Sequence, residues 1–483
     1  MAIVGGGFSG LAMAIRLREQ GETDFVLLER AGDIGGVWRE NAYPGCECDI
    51  SSHVYSFSFA PNPDWTHTFS PRREIHEYLR GCADRFGVMP HVRLNCEVLS
   101  ADWDDAERRW RIATSDGEIG ARALVAAAGP ISEPVIPAYP GLDRFQGISF
   151  HSAHWDDEER EIDGRRVAVI GTGATGVQIV PAIQPRVAQL TLFQRTAPWV
   201  LPRLQWRTSH RERALYRRLP IAQRAVRSAF FMLNEGLVLG FRRPRTMAPA
   251  ERLLWWRVKR QVRDARLLAK LRPPHRLGCK RLLASNDYYP ALDQPNVDVE
   301  TAGIRSLRER SIVTEDGAEH EVDVIVWATG FHMTDPPFAE RVRGRGGLTL
   351  ADLWRREGFH ALRGTTVPGF PNYFMMIGPN SGTGSNSMVF VIESQVRYVL
   401  DCLRALAADA RHALEPRRDA DARYNAHVAG RLRGTVWLSG CANHYQDATG
   451  RTSAIWPDSM LRFRAVTRRL DLDEYELGAV DQV

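Results

Sequence analysis

Two glycine-rich stretches have the spacing of loops that bind nucleotides. Residues 5–10 read GGGFSG and residues 171–176 read GTGATG, and both fit the pattern G-x-G-x-x-G. Glycines allow a tight turn at such a loop, and the N-terminus of the helix that follows attracts a pyrophosphate. The sequence therefore predicts two dinucleotide-binding units. The six glycines of the two patterns are Gly5, Gly7, Gly10, Gly171, Gly173 and Gly176.

The residue expected at the end of the second strand differs in charge between the two units. Glu29 lies 24 residues after Gly5, and Arg195 lies 24 residues after Gly171. An acid at this position binds a free ribose hydroxyl, whereas an arginine accommodates a 2′-phosphate. Because a charge-assisted hydrogen bond contributes about 1.5–3 kcal/mol, Arg195 predicts a roughly ten- to hundredfold preference for NADPH over NADH. The alternative for Arg195 is a solvated surface arginine.

The elements that position these loops are short strands alternating with helices. The expected elements are a strand at 2–4, a helix at 11–20 and a strand at 25–28, then a strand at 166–170, a helix at 177–183 and a strand at 190–193. Each set is a βαβ unit, in which a helix connects two parallel strands. The first strand lies unusually close to the start of the chain, which suggests that the natural start lies further upstream.

Length and composition indicate a globular protein with more than one domain. A chain of 483 residues is too long for one hydrophobic core, and a net charge of +5 suits anionic cofactors without indicating a nucleic-acid partner. We find no secretory leader and no run long enough to span a bilayer. The seven cysteines lack metal-binding or C-x-x-C spacing, which fits a reducing compartment. These features predict a cytoplasmic protein without a metal site.

A third motif lies between the two glycine loops. Residues 145–156 read FQGISFHSAHWD and fit the pattern F-x-G-x-x-x-H-x-x-x-W-[PD]. The pattern resembles the fingerprint of type I Baeyer–Villiger monooxygenases, within the class B flavin-containing monooxygenase family. Related N- and S-oxygenating enzymes usually carry Tyr or Phe at the position of Trp155. The five matched residues are Phe145, Gly147, His151, Trp155 and Asp156.

The position of this fingerprint indicates a role in joining domains. A linker between two cofactor domains sets their relative motion, so we expect His151 and Trp155 to couple the domains rather than touch the reacting atoms. The alternative is a linker with a few buried aromatic residues.

A motif after the first unit resembles a second pattern of the family. Residues 35–49 fit G-G-x-W-x-x-x-x-[YF]-P-G-x-x-x-D. The resemblance implies that Gly36 and Trp38 lie along FAD and that Asp49 reaches the region of the flavin ring. The alternatives are a turn or cap role for Asp49 and a core position for Trp38.

The segment GCKR at residues 278–281 also resembles the family. The resemblance implies that Lys280 assists with the 2′-phosphate of NADP, which Thr196 would share. It also implies that Arg281 enters the active site beside the flavin and that Asp49 holds Arg281 in position. The alternative for Arg281 is a surface charge.

The resemblance covers nearly the whole chain and implies its domain organisation. We expect an α/β fold with two Rossmann-like dinucleotide-binding domains, one for FAD and one for NADP, the second inserted into the first. The expected parts are the first part of the FAD-binding domain at 1–140, a linker with the fingerprint at 141–165, the NADP-binding domain at 166–330 and the second part of the FAD-binding domain at 331–483.

Residues 203–275 interrupt the family pattern with an arginine-rich, helical insertion. Helical runs are expected around 212–226 and 252–270, and residues 228–241 are apolar but too short to span a membrane. We interpret the segment as a helical insertion packed on the NADP domain, because an amphipathic helix is commonly half buried. A substrate-channel cover and a membrane-surface contact are the alternatives, and membrane contact is not expected.

Three further residues are candidates for the substrate pocket. Strands are also expected at 322–327 and 374–378, followed by a helix at 388–406. The resemblance places the N-terminus of that helix near the flavin, where it would stabilise negative charge. Asn386 and Met388 are therefore candidate pocket residues, and Trp437 is a candidate contact to substrate or NADP. A core position is an equal alternative for Met388 and Trp437.

The resemblance implies the reaction. NADPH reduces the flavin, O2 then gives a C4a-peroxyflavin, and the protein orients and protects these groups. The peroxide anion attacks a ketone and yields an ester or lactone, whereas the protonated peroxide oxidises nitrogen or sulfur. A fixed guanidinium at Arg281 favours the anion. The alternatives are an N- or S-oxygenating monooxygenase, a flavin reductase or oxidase, and a nucleotide-binding protein without catalysis.

Overall fold

The protein combines parallel sheets with helices in a computed structural model that describes residues 1–155, 161–408 and 413–477. Within these ranges the helices are α1 (Phe8–Glu19), α2 (Val37–Glu40), α3 (Arg72–Arg85), α4 (Ala174–Ile183), α5 (His210–Arg218), α6 (Pro220–Arg242), α7 (Ala248–Gln261), α8 (Ala265–Lys270), α9 (Tyr288–Leu292), α10 (Leu350–Glu357), α11 (Met388–Ala408), α12 (Arg418–Leu432) and α13 (Met460–Val466).

The strands of the described residues are short, and most have two to five residues. They are β1 (Ala2–Val4), β2 (Val26–Leu28), β3 (Val92–Arg93), β4 (Val98–Asp104), β5 (Arg109–Thr114), β6 (Gly117–Ala121), β7 (Leu124–Ala126), β8 (Ile148–His151), β9 (Arg166–Ile170), β10 (Gln189–Phe193), β11 (Val200–Leu201), β12 (Leu283–Ala284), β13 (Val297–Glu300), β14 (Ile304–Leu307), β15 (Ser311–Thr314), β16 (Glu319–Glu321), β17 (Val324–Trp327), β18 (Val342–Arg343), β19 (Tyr373–Met375), β20 (Leu414–Pro416) and β21 (Tyr475–Leu477).

The first parallel sheet is built from both ends of the chain. Its strand order is β19-β7-β1-β2-β3, and β1 pairs in parallel with β2 and β7. The strands β1 and β7 are fully buried, as expected for parallel strands that are covered on both faces. Since β19 comes about 250 residues after β7, the chain leaves this sheet and returns to it.

The second parallel sheet is formed by the segment between β7 and β19, after the chain has left the first sheet. Its order is β13-β10-β9-β17-β8, and β9 lies between β10 and β17. An α/β fold with two Rossmann-like units, one inserted into the other, is thereby confirmed. The exact limits of the four parts stay a prediction, and part of the segment expected as a linker forms the edge strand β8, in which His151 pairs with Trp327 of β17.

Smaller sheets complete the two units. The strands β4, β5 and β6 form an antiparallel meander that β18 extends, and β14, β15 and β16 form another meander. Two further pairs are β11 with β12 and β20 with β21. The insertion contains the helices α5 to α8, and α6 has 23 residues rather than the shorter runs that the sequence indicated.

Two helices begin earlier than their sequence pattern indicated. Helix α1 begins at Phe8 and α4 at Ala174, each directly after an extended glycine. The last glycine of each pattern, Gly10 or Gly176, therefore lies inside the first turn of its helix. Among the described residues, no helix combines the length and the apolarity that crossing a bilayer requires.

Candidate active site

The first glycine loop has no room for a side chain at Gly5 and Gly10. Gly5 has a φ of +107°, and a Cβ there would lie 2.6 Å from the carbonyl oxygen of Ala127. A Cβ on Gly10 would lie 1.9 Å from the carbonyl oxygen of Gly5. The loop is therefore pressed between β7 and α1, which leaves its backbone exposed to a ligand at the helix N-terminus.

The acid at the end of β2 is held by this loop. Glu29 is buried, and its carboxylate accepts hydrogen bonds from the backbone N–H groups of Gly6, at 2.7 Å, and Ala31, at 3.0 Å. These bonds fix the carboxylate beside the glycine turn, at the edge of a large cavity. The position fits recognition of a ribose hydroxyl.

The motif at residues 35–49 faces the same loop. Gly36 has a φ of +54° and approaches Gly7, since a Cβ on Gly36 would lie 3.0 Å from the Gly7 Cα. Trp38 is buried, and its indole N–H donates to the Tyr55 hydroxyl at 3.2 Å. Trp38 thus lines the cavity with one part of its ring and packs in the core with the rest.

The second glycine loop repeats the geometry of the first. Gly171 has a φ of +113°, and a Cβ there would lie 2.4 Å from the carbonyl oxygen of Ala328. A Cβ on Gly176 would lie 2.2 Å from the carbonyl oxygen of Gly171, whereas Gly173 has open space around it. The same constraint therefore produces the same open helix N-terminus.

Positive charge surrounds this second loop. Arg195 follows β10, is exposed, and lines the cavity with Thr196 and Lys280. The Thr196 carbonyl accepts from the Thr172 hydroxyl at 3.1 Å, which ties it to the loop. Partial burial, and then the nearby Arg195, lower the pKa of Lys280. Two close cations in a cleft are unfavourable without a counter-anion, and a 2′-phosphate fits this requirement.

A bidentate ion pair lines the cavity. Arg281 donates to the Asp49 carboxylate from Nε at 2.9 Å and from Nη2 at 2.7 Å and 2.9 Å, although the two residues lie 232 positions apart. The Asp49 carboxylate raises the pKa of the Arg281 guanidinium above its ordinary value. The Arg281 side chain nevertheless keeps 42% of its surface exposed. The guanidinium therefore stays charged and has donors available for a ligand.

Two residues that the sequence analysis did not identify complete the surroundings of this pair. His444 and Tyr445 line the cavity. Burial, and then the charges of Arg281 and Lys280, lower the pKa of His444 to about 4. Burial raises the pKa of Tyr445 to about 12, with Arg281 acting in the opposite direction. Both rings are therefore neutral near pH 7, and their loop had no sequence motif that could have indicated them.

Direct contacts join the two nucleotide units at this cavity. The Tyr43 hydroxyl donates to the Gln178 side chain of α4 at 3.0 Å, and Gln178 donates to the Glu47 carbonyl at 2.9 Å. Arg203, which is buried, forms an ion pair with the Glu47 carboxylate. Residues 43–49 thus contact both units, and Asp49 lies at the end of this segment.

The fingerprint residues lie where the second unit meets the returning chain. His151 is buried, accepts from the Ala153 N–H at 3.1 Å and packs edge-on against Phe331 at 5.4 Å. Trp155 is buried and packs edge-on against Phe150 at 5.1 Å. None of the four described residues of this motif lines the cavity. Coupling of domains stays a prediction.

Close packing also explains the remaining described positions of the fingerprint. A Cβ on Gly147 would lie 2.5 Å from the Asp323 carbonyl oxygen and 2.5 Å from the Phe145 ring. Phe145 packs on the core beneath the second sheet. Asp156 lies outside the described residues.

The three pocket candidates differ in position. Met388 begins α11 and lines the cavity. Asn386 is buried behind the cavity wall, where its amide donates to Glu235 at 2.8 Å. Trp437 is buried against Phe241 at 5.4 Å, which corresponds to the core alternative. Contact with a substrate therefore has support at Met388 alone.

A disulfide joins Cys279 to Cys441, 162 positions apart. The cysteine spacing gave no sign of this pair, because the two residues approach only in the folded chain. The bond connects the segment of Lys280 and Arg281 to the loop of His444 and Tyr445. It therefore links two sides of the candidate site.

The cavity is continuous from one glycine loop to the other, with a volume of about 1060 Å³. The residues present fit FAD at the first loop, where glycines, Glu29 and Trp38 meet. They fit NADP at the second loop, where an open glycine turn lies beside Arg195 and Lys280. Asp49 and Arg281 line the same cavity as the two loops.

Comparisons with known proteins agree with this geometry. The model of the family of flavin-binding monooxygenase-like proteins matches residues 1–226. A Baeyer–Villiger monooxygenase of Streptomyces coelicolor is 49% identical over 480 residues, which cover 99% of this chain and 92% of that protein. The chain therefore belongs to the Baeyer–Villiger monooxygenases, a family of flavoprotein enzymes.

Solved structures show the same fold. A closed crystal structure of cyclohexanone monooxygenase superposes with a TM-score of 0.86 at 29% identity, with 99% of both chains covered. A crystal structure of OTEMO in complex with FAD and NADP superposes with a TM-score of 0.89 at 26% identity, also with 99% of both chains covered. The likeness thus includes the insertion as well as both nucleotide units.

Proposed function

We propose that this enzyme uses FAD, NADPH and O2 to insert one oxygen atom beside the carbonyl of a small-molecule ketone, giving an ester or lactone. The proposal rests on the bidentate pair of Asp49 and Arg281, because it lies in the cavity between the two nucleotide loops. Glu29 and the first loop bind FAD. Arg195, Thr196 and Lys280 bind the 2′-phosphate of NADPH.

FAD supplies the activation of O2 once NADPH has reduced it. The task of this chain is to keep one charge fixed at the reacting oxygen. Arg281 stays charged at every physiological pH, and Asp49 occupies one edge of its guanidinium and sets its orientation. A fixed cation beside the reacting group stabilises an anionic oxygen. An anionic oxygen attacks a carbonyl carbon, whereas a protonated one oxidises sulfur or nitrogen.

The neighbours of Arg281 preserve this single positive charge. Since the pKa of His444 is lowered to about 4, the imidazole adds no charge at neutral pH. Tyr445 remains protonated, because its pKa is raised to about 12. The Cys279–Cys441 bond holds the two segments that carry these residues together.

The test compares Arg281→Ala, Arg281→Lys and Asp49→Ala, each loaded with FAD. Cyclohexanone and a thioether serve as probes, and both products are quantified with the NADPH consumed. We expect Arg281→Ala to lose about 100- to 1000-fold in lactone formation while still oxidising NADPH, with partial rescue in Arg281→Lys.

Two outcomes would contradict this proposal. Lactone formation by Arg281→Ala at the wild-type rate would show that Arg281 takes no part in the insertion of oxygen. A wild-type enzyme that oxidises the thioether but no ketone would instead indicate an N- or S-oxygenating monooxygenase. Asp49→Ala separates positioning from charge, because it leaves the guanidinium present but free to turn.

A further inference from the structure

The long helix α6 of the insertion exposes an apolar face. Four large side chains are exposed there: Ile221 by 66%, Met232 by 58%, Leu233 by 60% and Leu239 by 72%. The remaining exposed positions between Arg224 and Arg242 are Ala225, Ser228, Ala229 and Gly236. Since the exposed positions from Ala225 to Leu239 recur every three or four residues, they form an uncharged stripe about 21 Å long.

Two of the four charged residues of this helix, Arg227 and Glu235, are directed into the protein. Arg227 donates to the carbonyls of His53, at 2.6 Å, and Ser56, at 2.9 Å. Glu235 is buried and accepts from the Asn386 amide and the Met460 N–H. An ordinary surface helix buries its apolar side and exposes its charges. In α6 the exposed side between Arg224 and Arg242 is itself uncharged, which indicates a surface that is adapted to an apolar medium.

Positive charge frames the stripe. Residues 203–275 contain 17 arginines, two lysines and four acidic residues, a net charge of +15, whereas the whole chain carries +5. The remainder of the chain is therefore net negative, at −10. Exposed arginines lie at both ends of the stripe, namely Arg218 and Arg224 before it and Arg243 and Arg245 after it, whereas Arg217 and Arg242 form ion pairs with Asp64 and Asp458.

We propose that this face of α6 binds the surface of an anionic lipid bilayer, lying in the interface plane without crossing it. The apolar stripe enters the boundary of the acyl chains, and the flanking arginines contact anionic headgroups. A second copy of the chain fits less well, because a symmetric contact through α6 would bring two segments of +15 together. The proposal revises our expectation from the sequence, which showed apolar residues but not the direction in which they point.

Vesicle flotation with the full-length, FAD-loaded protein tests the proposal. The protein is mixed with vesicles of phosphatidylcholine alone or of phosphatidylcholine with phosphatidylglycerol, at low and high salt. We expect flotation with the phosphatidylglycerol vesicles, weaker flotation at high salt and little with phosphatidylcholine alone. Absence of flotation with anionic vesicles at low salt would overturn the proposal.

Matched variants locate the contact. Leu233→Glu with Leu239→Glu is expected to weaken binding at least about tenfold. The control is Leu99→Glu with Leu472→Glu, two leucines outside the insertion that are 51% and 47% exposed. The control should bind like the wild type. Arg224→Gln with Arg243→Gln should weaken binding about fivefold for each arginine removed and reduce the effect of salt.

Two results for these variants would count against a lipid contact. Equal flotation of the wild type and the Leu233→Glu, Leu239→Glu variant would show that binding to vesicles does not depend on the stripe. If that variant converted a dimer into a monomer in light scattering, the stripe would be an interface between copies of the chain. NADPH oxidation without vesicles, unchanged in every variant, shows that the fold is intact.

Discussion

The two nucleotide units of this protein share the backbone geometry of their glycine loops and differ in the charge of the residue just past the second strand. In both, a glycine with a φ above +100° lies against the carbonyl oxygen of the residue that follows a neighbouring strand, and a helix begins three residues after the glycine. The residue 24 positions after that glycine, just past the second strand, is Glu29 in one unit and Arg195 in the other. The backbone therefore supplies a pyrophosphate site twice, and the side chain selects the nucleotide.

The two side chains also differ in their partners. Glu29 is satisfied by backbone N–H groups of its own unit. Arg195 has no hydrogen-bond or ion-pair partner among the residues that the structure describes. Partial burial, and then the closeness of Arg195, lower the pKa of Lys280. A carboxylate that is already hydrogen-bonded can position a neutral ribose, whereas cations without a partner favour the binding of an anion. This contrast leads to four predictions.

Alanine at the first glycine of each loop should have the largest effect. Gly5→Ala should lose FAD, and Gly171→Ala should raise the KM for NADPH more than about 100-fold while FAD stays bound. In each case the Cβ would meet a carbonyl oxygen at 2.6 Å or less on a backbone with positive φ. Flavin absorbance and NADPH kinetics measure the two losses.

The control for the glycine variants is Gly81→Ala in α3, where a Cβ would meet nothing within 4 Å. It should retain both cofactors. Equal loss of FAD in both loop variants would show that the two units do not bind separate nucleotides.

Arg195→Ala should reduce kcat/KM for NADPH by about ten- to hundredfold, because a charge-assisted hydrogen bond to the 2′-phosphate is lost. The value for NADH should change less than about twofold, since NADH has no phosphate at this position. Steady-state kinetics with both nucleotides measure the ratio. An equal loss for NADH would mean that Arg195 supports the fold rather than selectivity.

His151, at the junction of the two units, should make stability depend on pH. Burial lowers its folded-state pKa from the ordinary 6.5 to about 4. The unfolded chain therefore takes up a proton first, and stability that is complete above pH 6.5 is lost as the pH falls towards 4. The loss at pH 5 is about 2 kcal/mol.

The variant His151→Asn keeps an acceptor for the Ala153 N–H but does not titrate. Its free energy of unfolding should differ from that of the wild type by a constant amount above pH 7, and this difference should shrink below pH 6.5. Denaturant titrations across this range measure both. Parallel pH curves would contradict a buried, neutral His151.

Lys280 should give the smallest effect. Because the pKa of Lys280 is lowered, its charge is lost at a lower pH than that of an ordinary lysine, and the KM for NADPH should rise about fivefold as the pH increases. Lys280→Arg should remove this rise, since arginine stays charged. Arg195→Gln should shift the rise to higher pH. A rise that persists in Lys280→Arg would assign it to another group.

Predictions from the sequence were most accurate where the geometry depends on a few neighbouring residues. The spacing of the glycines predicted the two loops, and counting 24 residues from the first glycine of each loop located Glu29 and Arg195. The helix limits were less accurate, since α1 and α4 each begin three residues before the expected position. The pair of Asp49 and Arg281 could be expected only from resemblance to a family, because its 232-residue separation has no local signal.

The sequence by itself determined the two nucleotide units and their opposite charges, because a steric limit on a turn acts over a few residues. Only the tertiary structure brought His444 and Tyr445 to Arg281, joined Cys279 to Cys441 and turned Arg227 and Glu235 of α6 inward. Each of these arrangements depends on contacts between distant segments. The direction in which a side chain points is decided by what packs on the other side of its helix.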